Sequence, residues 1–285
     1  MGKNTNRLKI IVASNGTLVR NQKPEMDTGV FYVVQPLLDL GHKVYFYDTV
    51  KPREPDFLKI VESLNPDLIF CCFTGSPFVA PFEPWEAINK ITKESDIKTF
   101  NWFCDDTWRF DNFSSKACWF FNYCSTVEST FLDKYKEIGY DNIVLSSWHV
   151  NENCFPEVEK DIDISFVGGM NKDRAAFFDR SKVPVKISGG LDIQELFKFY
   201  SRSKIGINLS VNANDPDKKT QMKQRVFELA AAKCTILTEY HKDMERCFVD
   251  GEEVLFFSDI DDFEEKVSFL LSNPEKAKNI ALRGH

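Results

Sequence analysis

The sequence predicts an α/β protein of two Rossmann-like domains, each a doubly wound parallel sheet, that face each other across a cleft. Short apolar runs alternate with helical patterns through most of its 285 residues, and such alternation builds parallel sheets. The alternation stops near residue 150 and then restarts, and a chain of this length favours two domains over one. We therefore predict one domain over residues 1–150 and a second over residues 151–285.

The first half contains six candidate strands. Each is too short for a helix and apolar on both faces, as buried parallel strands are. They are Leu8–Ala13, Lys43–Asp48, Asp67–Phe73, Lys98–Phe103, Trp119–Cys124 and Asn142–Ser146. Helices are predicted between them at Val30–Leu40, Phe57–Leu64 and Thr126–Ile138. Gly41 and Gly139 follow two of these helices, where a glycine commonly ends a helix.

The apolar periodicity is interrupted at Trp148–Pro156, and five more strands are predicted after it. They are Asp163–Val167, Val185–Ser188, Ile205–Leu209, Thr235–Leu237 and Val254–Phe257. In sheets of this kind ligands bind outside the carboxyl ends of the strands. The loops that leave each strand are therefore the places to search for a site.

Composition and charge exclude several classes of protein. The chain is 43% hydrophobic and 28% charged, as a globular protein is. A protein that binds a phosphate backbone through charge normally has a basic face and a high pI, but the net charge here is −7, which leaves room only for a local basic cleft. Nucleic acid is therefore an unlikely charge-driven partner. No stretch is long and apolar enough to span a membrane, and the N-terminus lacks the apolar core of a signal peptide.

The eight cysteines predict neither disulfides nor a metal site. None forms a C-x-x-C pair, and several lie inside apolar runs, which is typical of reduced, buried thiols. The cysteines and the four histidines show no metal-ligand spacing. We therefore expect a cytoplasmic protein that holds no metal.

The stretch "SNGTLVRNQKPEMDTGVFYV" follows the first strand. The dinucleotide-binding pattern G-x-G-x-x-G is absent there, which argues against NAD or FAD and predicts no bound cofactor. A long loop ends instead at Asp27, Thr28 and Gly29, before a helix. Asp27 or Thr28 can cap that helix, and Gly29 lets a substrate approach its N-terminus. A plain capping turn is the alternative interpretation.

In "FNWFCDDTWRF", Asp105 and Asp106 directly follow a buried strand and should project at the cleft rim. Adjacent carboxylates there can bind sugar hydroxyls or act as a general base. Alternatively, Asp106 caps the following turn. A metal-binding D-x-D is a third interpretation, but the spacing does not fit it.

In "DISFVGGMNKDRAAFF", Gly168 and Gly169 lie between a strand and a helix. Glycines at such a turn expose backbone N–H groups that can bind phosphate, and Lys172 and Arg174 add positive charge. An ordinary tight turn is the alternative.

The stretch "KQRVFELAAAKCTILTEY" reads as a helix that ends before a buried strand. Arg225 and Glu228 are three residues apart and share one helix face, so a surface ion pair is one interpretation. The alanines Ala230–Ala232 permit close packing, however, which leaves such a helix little free surface. We expect its charged side to face a ligand, because a cation suits a diphosphate and a carboxylate suits a vicinal diol. Glu239 and Tyr240 end the following strand and should face the same ligand.

Together these residues resemble the second domain of the GT-B glycosyltransferases, and most closely the group-1 members of the spore maturation protein CgeB type. The recurring pattern there is R-x-F-E-x-x-A-x-G, an apolar strand with a threonine, and then F-x-x-G-x-E. The corresponding segments here are residues 225–233, 237–240 and 248–257. The resemblance covers most of the chain.

The resemblance implies a metal-independent transfer of a sugar from a UDP- or GDP-type nucleotide-sugar co-substrate to an acceptor. Glu228 would hold the donor ribose, and Arg225, with its neighbours, the diphosphate. The implied donor-binding residues are Gly168, Gly169, Arg174, Lys223, Arg225, Glu228, Glu239 and Tyr240. Acceptor binding is expected in the first domain, at Asn15, Gly16, Asp27, Thr28 and Gly29. The candidate catalytic residues are Asp105, Asp106 and Arg225, and an inverting enzyme would take its base from Asp105, Asp106 or His149.

Two departures from the family pattern keep other functions open. Retaining members often carry two glutamates eight residues apart, but here Thr220 occupies the earlier place. Lys233 replaces the usual glycine. A non-catalytic sugar-nucleotide-binding protein is therefore one alternative, and a nucleotide-sugar epimerase or dehydrogenase is another.

Overall fold

The computed structural model describes residues 7–20, 23–52, 55–211 and 219–285. The chain divides into two compact units, Met1–Ser147 and Trp148–His285. The junction predicted near residue 150 lies close to this boundary. None of the helices in the described ranges is long and apolar enough to cross a membrane.

The first unit is built on a parallel sheet of six strands in the order β4-β1-β5-β6-β7-β8. A separate antiparallel hairpin, β2–β3, follows β1. The strands are β1 (Lys9–Ser14), β2 (Thr17–Arg20), β3 (Lys23–Met26), β4 (Lys43–Asp48), β5 (Leu68–Cys71), β6 (Lys98–Phe103), β7 (Tyr123–Thr126) and β8 (Ile143–Leu145). The register pairs Ile11 with Tyr45 and with Ile69, so β1 lies inside the sheet.

Helices connect these strands. They are α1 (Gln35–Asp39), α2 (Phe57–Leu64), α3 (Trp85–Glu94), α4 (Asp106–Arg109), α5 (Ser115–Ala117) and α6 (Leu132–Glu137). Shorter π and 3₁₀ turns are Val30–Val34, Phe110–Ser114, Cys118–Phe120 and Ser129–Phe131. Gly41 and Gly139 have φ angles of +88° and +82°, which confirms that they end the helices before them.

Two predictions for the first unit were wrong. The segment after β1 was expected to be a loop, but it pairs as the hairpin β2–β3. The strand expected at Trp119–Cys124 begins only at Tyr123, because Cys118–Phe120 forms a 3₁₀ turn with Trp119 about half exposed. A short apolar run does not by itself distinguish a buried strand from a helical turn. The α3 helix was not predicted.

Aromatic side chains fill much of the first unit's core. The Trp85 ring meets those of Phe73 and Phe120 edge to face, with centroids 4.9 and 5.4 Å apart. Phe110 packs edge to face on Tyr135 at 4.9 Å. Such pairs are each worth about 0.5–1.5 kcal/mol beyond the area that they bury.

The second unit is a parallel sheet of five strands in the order β10-β9-β11-β12-β13. Its strands are β9 (Ile162–Val167), β10 (Lys186–Ser188), β11 (Ser203–Asn208), β12 (Thr235–Glu239) and β13 (Leu255–Phe257). Its α-helices are α7 (Lys172–Arg180), α8 (Ile193–Ser201), α9 (Gln224–Ala231), α10 (Ile260–Ser272) and α11 (Pro274–Gly284), with 3₁₀ turns at Glu152–Cys154 and Lys242–Arg246. Two parallel α/β sheets confirm the predicted fold class.

The α9 helix packs closely on the sheet. Its apolar side chains Val226 and Leu229 are fully buried. A Cβ atom at Gly206 of β11 would lie 2.1 Å from a Leu229 methyl carbon, so only a glycine allows this approach. The packing brings the first turn of α9 to the carboxyl ends of β9 and β11.

Candidate active site

Polar groups of the second unit converge where β9, β11 and β12 end, and Arg225 of α9 is at their centre. Its Nε donates to the carbonyl of Val167 at 2.7 Å, and one terminal nitrogen donates to Asn208 Oδ1 at 2.9 Å. Its guanidinium carbon lies 4.7 Å from the centre of the Phe166 ring. Arg225 is thus half-buried and fixed by strand ends, as expected of a site residue.

Asn208 fixes this arrangement and was missed in the sequence. It is fully buried, and its amide donates to Thr238 Oγ1 at 2.8 Å and to Ser210 Oγ at 3.1 Å. The side-chain oxygen of Asn208, Oδ1, accepts the hydrogen bond from Arg225. The sequence feature that could have identified Asn208 is a polar residue at the end of an otherwise apolar strand.

Gly168 makes room for the guanidinium. A Cβ atom there would lie 2.5 Å from a terminal nitrogen of Arg225. Its N–H donates to the Ser188 carbonyl at 3.0 Å. At Gly169, by contrast, a Cβ would meet no atom within 4 Å. A side chain at position 168 would therefore displace the Arg225 guanidinium. Position 169 borders open space at the turn.

Arg174 places a second guanidinium at this turn. It lies in the first turn of α7, which Asn171 caps through the Arg174 N–H at 2.9 Å. One terminal nitrogen donates to the Gly169 carbonyl at 2.7 Å, and the guanidinium carbon lies 5.5 Å from the centre of the Phe166 ring. Its Nε is buried and has no hydrogen-bond partner in the described parts of the chain. Burial, and then the charge of Arg225, lower the pKa of Arg174.

Glu228 is 7% exposed, so it is not part of a surface ion pair. Burial, and then the charge of Glu228, raise the pKa of the Tyr200 hydroxyl, while a hydrogen bond with Arg225 opposes the shift. Tyr200 is 1% exposed. Tyr200 therefore lies close to both Glu228 and Arg225.

Glu239 ends β12 and closes a neighbouring loop. Its carboxylate accepts the N–H groups of Ser210 and Val211. Burial raises the pKa of Glu239 above its usual value. The two hydrogen bonds and the charge of Arg174 oppose this rise but do not cancel it. Glu239 therefore lies near Arg174.

Lys223 and Tyr240 lie at the margin of this group. The ammonium of Lys223 donates to Gln221 Oε1 at 2.8 Å. The Tyr240 ring is about half exposed, and its hydroxyl donates to Glu245 Oε1 at 3.0 Å. Their roles in donor binding stay predictions from the sequence.

In the first unit, Asp105 and Asp106 occupy different environments. Asp105 is partly exposed, before α4. Asp106 is 1% exposed and does not project at a rim as expected. Its carboxylate accepts the Tyr135 hydroxyl at 3.1 Å and also meets the hydroxyls of Ser114 and Thr126. Burial raises the pKa of Asp106 to about 6.

The predicted acceptor-side residues follow β1 and precede α1. The Asp27 carboxylate accepts the Gly29 N–H at 2.8 Å, so it caps the helix as expected, and Thr28 donates to the same oxygen at 3.3 Å. The Gly16 N–H donates to Asp48 at 3.0 Å, and Asn15 accepts the Thr49 hydroxyl at 2.8 Å. These bonds fix both segments at the carboxyl edge of the sheet.

Two further residues were singled out in the sequence. Burial lowers the pKa of His149 to about 4, so it is neutral at pH 7. Thr220, where the resemblance to retaining glycosyltransferases would place a glutamate, has its hydroxyl 3.1 Å from Nδ1 of His241.

Residues 152–285 match the model of a family described as glycosyl transferase-like. This range covers nearly all of the second unit and includes both arginines. None of the curated protein sequences matches the chain.

Three solved glycosyltransferase structures share the fold along nearly the whole chain. Sucrose-phosphate synthase from Thermosynechococcus elongatus has a TM-score of 0.62 and 12% identity, covering 98% of this chain and 93% of its own. Anabaena HepE, in complex with UDP and glucose, has a TM-score of 0.58 and 9% identity, over 96% and 93%. T4 phage BGT, in complex with its UDP-glucose substrate, has a TM-score of 0.58 and 13% identity, over 96% and 93%. These structures have the GT-B fold, and at such identities the likeness shows the fold alone.

Proposed function

We propose that this chain, a glycosyltransferase of the GT-B fold, transfers a sugar from a UDP-sugar donor to an acceptor bound by its first unit. The family match of residues 152–285 supports the reaction class. UDP is favoured over GDP because HepE binds UDP and T4 phage BGT binds UDP-glucose. Membership of the CgeB type within the group-1 glycosyltransferases is a narrower proposal, which the sequence motifs support.

The observation that carries this proposal is the pair of guanidinium groups at the strand-to-helix turn. Arg174 and Arg225 both lie within 6 Å of the Phe166 ring, in a chain whose net charge is −7. Two like charges held close together repel each other, so the arrangement favours an anion between or beside them. The unpartnered Nε of Arg174 and the open space at Gly169 fit a diphosphate.

The same groups supply the chemistry of the reaction. Transfer leaves a nucleoside diphosphate, and fixed donors aimed at the developing charge stabilise the transition state. Arg225 is fixed in advance by Val167 and Asn208, so little reorganisation is needed. Glu228 is proposed to accept the ribose hydroxyls.

The choice of base depends on the stereochemical outcome. If the enzyme inverts, a base must take the acceptor proton. The partly exposed Asp105 is the best placed of the two aspartates, because Asp106 is buried among hydroxyl groups. The neutral His149 has a pKa of about 4, which makes it a weak base. A retaining enzyme needs no base.

The test is hydrolysis or transfer of the sugar of UDP-glucose, measured for the parent and for Arg225→Ala. Loss of one such donor typically costs about 10²–10³ in kcat, so we expect a fall of that size. Arg225→Lys keeps the charge but not both bonds to Val167 and Asn208, and it should recover only part of the rate.

Arg180→Ala is the matched control, because Arg180 is an exposed arginine at the other end of α7. It should leave the rate unchanged. An Arg225→Ala variant that is folded and as active as the parent would contradict the proposal.

The second candidate is a sugar-nucleotide-binding protein that does not catalyse transfer, and the pairing of Thr220 with His241 favours it. UDP would then raise the melting temperature, since a ligand that binds only the folded state stabilises it. No donor would be turned over. The epimerase or dehydrogenase alternative loses support because a hairpin follows β1 where a glycine-rich turn would be needed.

A further inference from the structure

The first unit exposes an apolar loop after β5, residues 74–83, which we call the Phe78 loop. The Phe78 side chain is 98% exposed, Val79 is 46% exposed and Phe82 is 39% exposed. Single exposed apolar residues are common, whereas three within one short loop make that loop a candidate binding surface.

Hydrogen bonds hold the base of the Phe78 loop. The Glu83 carboxylate accepts the N–H groups of Thr74 and Gly75 and the indole N–H of Trp85, the last two at 2.9 and 3.0 Å. The Phe82 N–H donates to the Thr49 carbonyl at 3.0 Å. The loop also contains prolines 77 and 81. A surface fixed in this way loses little conformational entropy when it binds a ligand.

The loop lies beside the segment that follows β6. The β5 and β6 strands are neighbours in the sheet, and the guanidinium of Arg109, in the α4 helix after β6, donates to the Thr74 carbonyl. The same guanidinium carbon lies 4.2 Å from the centre of the Phe113 ring. Both segments therefore leave the carboxyl edge of the sheet, where ligands of doubly wound sheets bind.

We infer that the Phe78 loop binds an apolar part of the acceptor, an aryl or alkyl group joined to the hydroxyl-bearing part. This inference rests on the proposed glycosyltransferase function and names its acceptor class. Residues 74–83 contain no lysine or arginine, and their one charge is that of Glu83. An anionic membrane surface would lack a cationic partner there, whereas a neutral apolar group needs none.

The test compares two glucosides that differ only in the group on their anomeric oxygen. Dissociation constants of phenyl β-D-glucoside and methyl β-D-glucoside are measured by titration calorimetry, with saturating UDP and without it. We expect the parent to bind the phenyl compound about tenfold more tightly, which corresponds to about 1.4 kcal/mol. Phe78→Ser should abolish the preference.

Leu40→Ser is the matched control. Leu40 is also an exposed apolar residue of the first unit, 59% exposed, but it precedes β4 and so lies at the amino end of that strand. This variant should keep the preference. Melting curves establish that both variants are folded.

Three results would overturn the inference: equal or undetectable binding of the two glucosides by the parent, a preference that persists in Phe78→Ser, or self-association that Phe78→Ser removes. The last result would assign the loop to a second copy of the chain. Failure of the proposed function gives a different pattern. UDP would then neither bind nor be released from UDP-glucose, while the preference for the phenyl group, measured without UDP, would remain.

Discussion

Adjacent residues with the same side chain can have opposite environments, as Asp105 and Asp106 do. Asp105 precedes α4 and is partly exposed, while Asp106 enters the core and meets Tyr135. One oxygen of Asp106 is buried without a hydrogen-bond partner in the described ranges. Its charged form is therefore poorly solvated, and this burial is the main cause of its raised pKa.

The raised pKa of Asp106, about 6, predicts a specific pH dependence of stability. The folded state binds this proton more tightly than the unfolded chain, so the contribution of Asp106 to stability falls as pH rises from about 4 to 6. Asp106→Asn removes the ionisation. The free energy of unfolding of the variant, relative to the parent, should rise by about 3 kcal/mol across that range.

Urea denaturation at a series of pH values between 4 and 7 measures this difference. Asp111→Asn, which changes an exposed carboxylate of the next turn, is the control and should follow the parent curve. Parallel curves for the parent and Asp106→Asn would show that the buried carboxylate does not titrate in this range.

At the scale of elements, α9 links the sheet to the site, and the way it ends is unusual. The N–H groups of Lys233 and Cys234 donate to the carbonyls of Ala230 and Leu229, both at 2.9 Å, which is a Schellman motif. Lys233 has a φ of +55°, in the left-handed region where glycine is preferred. Lys233, where the resemblance would place a glycine, therefore has a backbone conformation that a glycine adopts without strain.

Lys233→Gly should therefore stabilise the second unit. Relief of the left-handed conformation is worth about 1 kcal/mol. The Lys233 ammonium also donates to Glu157 at 2.7 Å, but the Glu157 side chain is 87% exposed, so we expect the loss of this pair to cost less than that relief.

Lys233→Ala separates these two effects, because it loses the ion pair but keeps a Cβ atom. Chemical denaturation should show the glycine variant about 1 kcal/mol more stable than the alanine variant. Equal stability of the two would mean that the turn carries no conformational cost.

Across the whole molecule the net charge is −7, yet two arginines lie together at one turn of the second unit. Arg174 and Arg225 supply two positive charges beside the proposed diphosphate site. A divalent cation often meets this need for charge in other enzymes. We propose that the arginines meet it here, so transfer does not depend on a metal.

Chelation tests this proposal. Donor turnover measured after treatment with EDTA should equal the untreated rate, because the guanidinium charges remain. Addition of Mg²⁺ or Mn²⁺ should not raise it. A rate that EDTA abolishes and Mg²⁺ restores would show that a metal takes part.

Much of the fold was predictable because strand and helix patterns are local. The β4, β6 and α2 ranges agree with the prediction at both ends, and Arg225 was identified from its position on a helix before a buried strand. Asn208 and the exposed Phe78 loop were not found. A single asparagine or phenylalanine carries no periodic signal, and its environment depends on residues distant in the sequence.

Local patterns along the chain were enough to predict the two α/β halves, the strands from which ligand loops emerge and the types of residue in those loops. Which of these residues meet depends on the folded structure. Arg225 is fixed by partners 58 and 17 positions away, and Asp106 by Tyr135, 29 positions away. Such contacts follow from strand order and helix packing, which no local pattern of hydrophobicity specifies, because burial depends on what the rest of the chain places alongside.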